Sequence, residues 1–174
     1  STASLSVNLT PTQVSCHGAA DGAVTATPSG GTAPYQYSWS NGETTQAITG
    51  LAPGSYQVTV TDASSATATA SVTITQPAAP LVAEATTYTT PCAWWFDNAA
   101  AGYGDATGGT PPYTYFWVTT GQNTRSINPA QAGTYLLRVT DANGCQSEDS
   151  VYIPFIPTPP PLQGQASVVS HVSC

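Results

Sequence analysis

The stretch that decides the fold occurs twice in the chain. Gly30-Gly31-Thr32-Ala33-Pro34-Tyr35-Gln36-Tyr37-Ser38-Trp39 returns as Gly108-Gly109-Thr110-Pro111-Pro112-Tyr113-Thr114-Tyr115-Phe116-Trp117. In both copies a Gly-Gly turn precedes aromatic residues at every second position, and this alternation places three aromatic side chains on one face of a β-strand. The pattern predicts one half-buried strand in each of two copies of the same domain.

Segments on both sides of this stretch repeat as well. Cys16 with Asp21 returns as Cys92 with Asp97, Gly54-Ser55-Tyr56 as Gly133-Thr134-Tyr135, Val60-Thr61-Asp62-Ala63 as Val139-Thr140-Asp141-Ala142, and Val14-Ser15-Cys16 as Val172-Ser173-Cys174. The last echo indicates that a third copy begins near the end. We therefore predict a first repeat at residues 1–78, a second at 79–157, and a linker with the first strand of a further repeat at 158–174.

Each repeat shows the pattern of an immunoglobulin-like β-sandwich, with about seven short strands separated by Gly and Pro turns. The predicted fold class is all-β: two tandem immunoglobulin-like domains plus the first strand of a third. Because large aromatic side chains at inward positions are mostly buried, we expect Trp39, Trp117, Tyr56 and Tyr135 to form the cores.

Prolines and glycines predict where individual strands of the first repeat end. We expect a first strand over residues 4–14 that is broken at Pro11, and a second over residues 23–27 that ends at Pro28, because proline cannot donate to a β-ladder. Asn41-Gly42 is typical of a β-hairpin turn.

The charge balance excludes two classes of partner. The 174 residues include 2 basic and 9 acidic ones, for a net charge of −7, and only 6% of residues are charged. Binding to nucleic acid or to an anionic membrane surface needs clustered Lys and Arg, which this chain lacks. The chain also has no run of about 20 apolar residues, so we expect no membrane insertion.

The repeated motifs resemble the SprB repeat. The resemblance rests on Cys16-His17-Gly18 with Asp21-Gly22, on Gly30-Gly31-Thr32-Ala33-Pro34-Tyr35, and on Gly54-Ser55-Tyr56 with Val60-Thr61-Asp62-Ala63; Asp141-Ala142-Asn143-Gly144-Cys145 completes the pattern in the second repeat. It implies long tandem arrays in secreted cell-surface proteins of Bacteroidota, including gliding adhesins exported by the type IX system. It implies no enzymatic activity. The chain departs from the family pattern at Ala66, where Cys is usual, and at residues 93–96.

The four cysteines predict disulfides, as expected for an exported, loop-rich protein. Within one sandwich, the position of Cys16 and that of Cys145 fall at opposite ends, too far apart for a bond, whereas in successive domains they can meet. We therefore favour a Cys16–Cys145 bond between the domains, with Cys92 and Cys174 bonded to neighbouring repeats. The alternative is a Cys92–Cys145 bond inside the second domain.

Two surface features are candidates for contact or modification. Trp94, Trp95 and Phe96 are consecutive, so they cannot all point inward. They form either a glycan-stacking or contact platform, or they pack against an adjacent domain, a linker or the core. Asp149-Ser150-Val151 resembles the O-glycosylation acceptor motif of Bacteroidota, which makes Ser150 a candidate glycosylation site.

Acidic residues in turns offer a second set of candidates. Asp21, Asp97, Asp62 and Asp141 could bind calcium, but each turn supplies one carboxylate and calcium needs six to eight oxygen ligands, so capping of turns is the favoured interpretation. His17 and His171 have neither a nucleophile motif nor further ligands nearby. We therefore predict no catalytic residues, no metal and no cofactor.

These observations predict a non-catalytic structural spacer repeat of an extracellular, cell-surface adhesin or filament, stiffened by disulfides. Its expected partners are neighbouring repeats or copies of itself, with surface polysaccharide as a further candidate. One alternative is a self-assembling fibre subunit that donates the strand at residues 166–173 to a neighbour. The other is a carbohydrate-binding accessory module.

Overall fold

A computed structural model describes residues 3–89, 100–129 and 131–154. All regular elements among these residues are β-strands, and they form two compact units. Unit 1 contains the described residues up to Pro80 together with Gly108–Thr110 and Asn143–Cys145; unit 2 contains the other described residues. The strands of unit 1 are β1 Ser6–Thr12, β2 Gly22–Ser29, β3 Gln36–Trp39, β4 Ala47–Leu51, β5 Gly54–Thr61 and β6 Thr67–Ile74. Those of unit 2 are β7 Val82–Thr89, β8 Ala100–Thr107, β9 Thr114–Trp117, β10 Ser126–Ile127, β11 Gly133–Thr140 and β12 Gln146–Ile153.

Both units have the strand order of an immunoglobulin-like sandwich. In unit 1 the two antiparallel sheets run β1-β2-β4 and β3-β5-β6, and in unit 2 they run β7-β8-β10 and β9-β11-β12. These orders correspond to strands A-B-E and C-F-G of the immunoglobulin fold, and no strand D occurs among the described residues. The predicted all-β, immunoglobulin-like fold class is confirmed, with six described strands in each unit where the sequence predicts about seven.

The inward faces of the two sheets enclose one hydrophobic core in each unit. In unit 1, Trp39 of β3 is 3% exposed and packs with Val58 and Val60 of β5, neither of which is exposed. In unit 2, Trp117 and Leu137 are fully buried. Alternation of burial along β5 and β11 follows the period of two that the sequence predicts.

Hydrogen bonds fix the polar ends of the aromatic core residues. The indole Nε1 of Trp39 donates to the Thr45 carbonyl at 2.8 Å. At the start of β5, the Tyr56 hydroxyl donates to the Ala52 carbonyl at 2.9 Å, and this is the tyrosine corner of immunoglobulin-like domains. Unit 2 repeats both bonds with Trp117 and Tyr135. Trp39, Trp117 and Tyr135 are buried as expected, and Tyr56 packs half-buried against its core.

The expected strand ends at Pro11 and Pro28 are wrong. Both residues lie inside strands, Pro11 opposite Val24 and Pro28 opposite Val7. The Ala26 amide donates to the Gln46 carbonyl, on the side of β2 that pairs with β4. The nitrogen of Pro28, two residues further along, faces the same side, past the last residue of β2 that pairs with β4. The nitrogen of Pro11 faces the edge of β1 that does not pair with β2. Neither nitrogen would donate to the ladder, so neither proline disrupts its strand.

The Asn41-Gly42 turn is present but does not join paired strands. The Gly42 amide donates to the Trp39 carbonyl at 3.0 Å, so the chain reverses after β3. However, β3 pairs with β5, and β4 pairs with β2 in the other sheet. The turn therefore belongs to a connection between the two sheets and not to a hairpin of two paired strands.

Truncation of a core residue should destabilise unit 2. Leu137→Ala removes a fully buried side chain of β11 and should lower the free energy of unfolding by about 2–5 kcal/mol. Val82→Ala, at a position that is 49% exposed in the same unit, is the matched control and should change it by less than about 0.5 kcal/mol. Urea unfolding of the oxidised chain measures both, and equal effects would contradict the assigned core.

Candidate functional site

A disulfide bond joins Cys16 to Cys145 within unit 1. The two Cα atoms lie 5.8 Å apart, and 129 positions separate the residues in sequence. Cys16 follows β1 and belongs to the first sequence repeat; Cys145 lies in the loop between β11 and β12 and belongs to the second. The structure therefore contains the pair favoured from the sequence, and Cys145 is not available for the alternative bond to Cys92.

Backbone and side-chain bonds fasten the loop that carries Cys16. After β1 the Val14 amide donates to the Thr75 carbonyl at 3.0 Å, just past the end of β6. The Gly18 amide donates to the Gln76 side-chain carbonyl at 2.7 Å. Because these bonds lie on both sides of Cys16 in sequence, they fix the position of the loop that carries its sulfur atom.

Asp21 closes the same loop from the other side. Its carboxylate accepts the Ser15 amide at 3.0 Å and also accepts the Ser15 hydroxyl. Hydrogen bonds from the Ser15 hydroxyl and amide lower the pKa of Asp21 below its usual value. The carboxylate thus caps the turn next to Cys16, as the favoured interpretation of the turn acids predicts.

Asn143 supplies a further tie to this loop that sequence reasoning missed. Its side-chain nitrogen donates to the Ser15 carbonyl at 2.9 Å and to the Thr110 hydroxyl at 3.1 Å. These bonds and the disulfide connect Asn143–Cys145 to the rest of unit 1. An Asn before a Gly in a turn suggests only turn geometry, so the one sequence signal for its role was Cys145, two positions further on.

Asp62 is the most connected carboxylate of unit 1. It is 6% exposed, and its Oδ1 accepts the Ser64 hydroxyl at 2.7 Å and the amides of Ser64 and Ala66, while its Oδ2 accepts the Thr32 amide. These bonds link the β5–β6 turn to the Gly30-Gly31-Thr32 loop. The Ser64 hydroxyl bond, helped by the backbone amides and opposed by burial, lowers the Asp62 pKa. The turn-capping interpretation is confirmed for Asp62.

The remaining candidate residues are two exposed residues, one buried aspartate and a group outside the described part of the chain. Ser150 lies exposed in β12, opposite Leu136, and its glycosylation stays a prediction. Asp141 is 6% exposed at the position that matches Asp62, and His17 is exposed. The predictions for Cys92, Cys174, Asp97, His171 and the triplet Trp94, Trp95 and Phe96 fall on residues that the structure does not describe.

The described residues contain neither a candidate metal-binding cluster nor a candidate membrane-spanning helix. Residues 3–89, 100–129 and 131–154 contain no group of three or more His, Cys, Asp or Glu side chains that could hold a metal ion. Within the same ranges, no helix has the length and apolar character to span a bilayer.

The fold and the disulfide define a tandem β-sandwich repeat protein. Within this class, residues 8–44 match the family described as the SprB repeat, so the resemblance is confirmed over that segment of the first repeat. No curated protein matches the chain.

Two solved structures are similar to the chain at low sequence identity. One is the C-terminal 282-residue fragment of intimin, in complex with the intimin-binding domain of the translocated intimin receptor, with 13% identity and a TM-score of 0.43 over 88% of this chain. The other is the N-terminal four immunoglobulin domains of Dscam1 isoform 6.44, with 14% identity and a TM-score of 0.32 over 77% of this chain. This chain covers 64% of the first structure and 40% of the second.

Acid should remove the stabilisation that Asp62 supplies. Because the folded-state pKa of Asp62 is lowered, its contribution is present above the unfolded-state pKa of about 3.9 and is lost as the pH falls through the lower folded-state value. Asp62→Asn should therefore be less stable than the wild type at pH 7, and the gap should narrow below pH ~4. Urea unfolding between pH 7 and pH 2 measures it.

The control for the Asp62 series is Glu84→Gln, which removes one exposed carboxylate from unit 2. It should leave the unfolding of unit 1 unchanged at each pH. A gap between Asp62→Asn and the wild type that stays constant to pH 2 would contradict the assigned role of Asp62.

The disulfide connectivity can be read directly from peptides. Cleavage after Arg125 and Arg138 by trypsin, and after Glu43, Glu84 and Glu148 by a Glu-specific protease, places each of the four cysteines on its own peptide. Mass spectrometry of the unreduced digest should find residues 1–43 joined to residues 139–148. A link from residues 85–125 to residues 139–148 would show the alternative Cys92–Cys145 bond, and reduction is the control.

Proposed function

We propose that this chain is a non-catalytic structural module of a secreted cell-surface adhesin, where its repeats act as a spacer that resists extension. The observation that carries the proposal is the Cys16–Cys145 bond, which connects a loop of the first sequence repeat to a loop of the second. The match of residues 8–44 to the SprB repeat supports a surface adhesin as the parent protein.

The disulfide changes the covalent path that a pulling force follows. Strands β2 to β11 all lie between Cys16 and Cys145 in sequence, inside the loop that the bond closes. A force applied at the two ends of the chain therefore passes through β1, the disulfide and β12. Most of the strands that enclose each core lie within the loop that the disulfide closes. Tension therefore cannot extend these strands while the bond is intact.

The same arrangement can continue along an array. Cys92 and Cys174 repeat the position of Cys16, so we expect each to bond a cysteine in the β11–β12 type of loop of a following domain. Ala66 takes the position of Cys145 in the first repeat, so this loop of the first repeat offers no cysteine for such a bond. A series of such bonds would form overlapping protected loops.

The acidic residues support a structural role for the module. Asp21 and Asp62 both use their carboxylates to bind nearby amides and hydroxyls, so their side chains are committed to turns. We propose that the module is extracellular and at the cell surface, and that its partners are neighbouring repeats or copies of the same chain. Gliding motility and export by the type IX system belong to the same proposal.

Stretching single molecules tests the spacer function. The oxidised full chain, held at both ends, should extend only through residues outside the disulfide loop. Reduction should add about 440 Å of contour length, because 129 positions at about 3.4 Å each become available. Force spectroscopy with and without reductant measures the difference.

Cys145→Ser is the matched variant for this experiment. This variant cannot form the Cys16–Cys145 bond, so it should release the additional contour length even in the absence of reductant. Reductant should therefore change its contour length little. If the oxidised wild type released the full contour length, the proposed protection of the cores would be wrong.

A further inference from the structure

An arginine and two tyrosines form a cluster on the surface of unit 2. The guanidinium carbon of Arg125 lies 4.9 Å from the ring centroid of Tyr103 and 5.5 Å from that of Tyr115. Both distances are within the range of cation–π contacts. Tyr103, in β8, is 38% exposed, so an aromatic ring and a cation are presented together at the protein surface.

Hydrogen bonds orient the guanidinium of Arg125 and leave one of its nitrogens available to a ligand. Arg125 donates from Nε to the Gly104 carbonyl at 3.1 Å and from Nη2 to Asp105 Oδ1 at 2.7 Å. The Ala106 amide also donates to Oδ1 of Asp105. Among the described residues, Nη1 of Arg125 and Oδ2 of Asp105 have no hydrogen-bond partner, so the ion pair retains one donor group and one acceptor atom for a ligand.

A shallow groove adjoins this cluster. It has a volume of about 370 Å³ and is lined by Tyr113, Thr114, Tyr115, Asn123, Thr124 and Arg125. This volume is at the small end of ligand-binding pockets. Burial raises the pKa of Tyr115, so its hydroxyl remains protonated at neutral pH. Asn123, an exposed residue of the lining, adds an amide that can both donate and accept.

Unit 1 shows what the fold requires at the same positions. Gln46 precedes β4 as Arg125 precedes β10, and its side-chain amide donates to the Ala26 carbonyl at 3.1 Å, as Arg125 does to Gly104. The residues of β2 that match Tyr103 and Asp105 are Thr25 and Thr27. Thr25, Thr27 and Gln46 have neither an aromatic ring nor a charge, whereas Tyr115 has an aromatic equivalent in unit 1, Tyr37.

Unit 1 forms the same sandwich with different residues at most of the positions of the Arg125 cluster. The sandwich folds in unit 1 with Thr and Gln, and the backbone tie of Arg125 is kept by Gln46. The Arg125–Asp105 ion pair is also exposed, with side-chain exposures of 49% and 52%, so it adds little to stability. The fold therefore does not require the ring of Tyr103, the carboxylate of Asp105 or the charge of Arg125 at these positions.

We propose that Tyr103, Asp105, Tyr115 and Arg125 form a binding site for a neutral pyranose glycan. The C–H face of a pyranose ring can pack on the exposed ring of Tyr103, while neighbouring hydroxyls donate to Asp105 and accept from Arg125. Asp105 offsets the charge of Arg125, and the net charge of −7 disfavours a polyanionic glycan. The groove accommodates a short segment of the glycan.

Binding to defined oligosaccharides tests this site on the oxidised full chain. The probes are neutral hexasaccharides of β-1,4-glucan, β-1,3-glucan and α-mannan, with hexagalacturonate as the anionic probe. Isothermal titration calorimetry, supported by saturation-transfer NMR, should show binding of at least one neutral probe. Tyr103→Thr and Arg125→Gln, which introduce the residues of unit 1, should each weaken it roughly tenfold or more.

Matched variants keep the test specific. Tyr103→Phe retains the ring and should bind nearly as well as the wild type, and Gln46→Ala in unit 1 should leave binding unchanged. Circular dichroism and thermal unfolding confirm that the variants fold. The proposal is overturned if no neutral probe binds, if only hexagalacturonate binds, or if Tyr103→Thr and Arg125→Gln bind like the wild type. The stretching experiment is independent of this result.

Discussion

Burial of one tryptophan between two small sheets is the interaction on which each unit depends. A three-stranded sheet leaves one apolar face open, and in each unit two such sheets cover each other's apolar face. Trp39 and Trp117 fill the space between the sheets, and each indole nitrogen still reaches a carbonyl. The tyrosine corner then fixes the connection into β5 or β11, so the tryptophan and the corner tyrosine of each unit have no unsatisfied indole nitrogen or hydroxyl.

The chain has few carboxylates, and they differ in how much they contribute to the stability of the fold. Only two ion pairs are found in the described residues, Arg125–Asp105 and Arg138–Glu148, and both are partly exposed. Such pairs add little stability. Asp62, in contrast, accepts four hydrogen bonds at a site that is almost inaccessible to solvent. Asp21 and Asp62 thus stabilise the fold by accepting hydrogen bonds from amides and hydroxyls in turns.

The two units use one scaffold for different surfaces. Burial alternates identically along β2 and β8, and the Trp39 and Trp117 bonds are equivalent. The differences lie at outward positions, where Thr25 and Gln46 of unit 1 correspond to Tyr103 and Arg125 of unit 2. Because outward residues do not contribute to the core, they can acquire binding chemistry without a cost to folding. The disulfide likewise involves loops, not strands.

The sequence by itself determined the fold class and the aromatic core, because the alternation of apolar residues and the duplicated motifs are local properties that a strand displays directly. It also indicated the Cys16–Cys145 pair and the capping role of Asp62. Only the tertiary structure decided that Pro11 and Pro28 lie inside strands, that the Asn41-Gly42 turn joins different sheets, and that Asn143 bonds Ser15. These features depend on which strand or loop lies alongside each residue, and distant parts of the chain supply those neighbours. The Tyr103–Arg125 cluster had the same origin, because β8 and the segment before β10 meet only in the folded sheet.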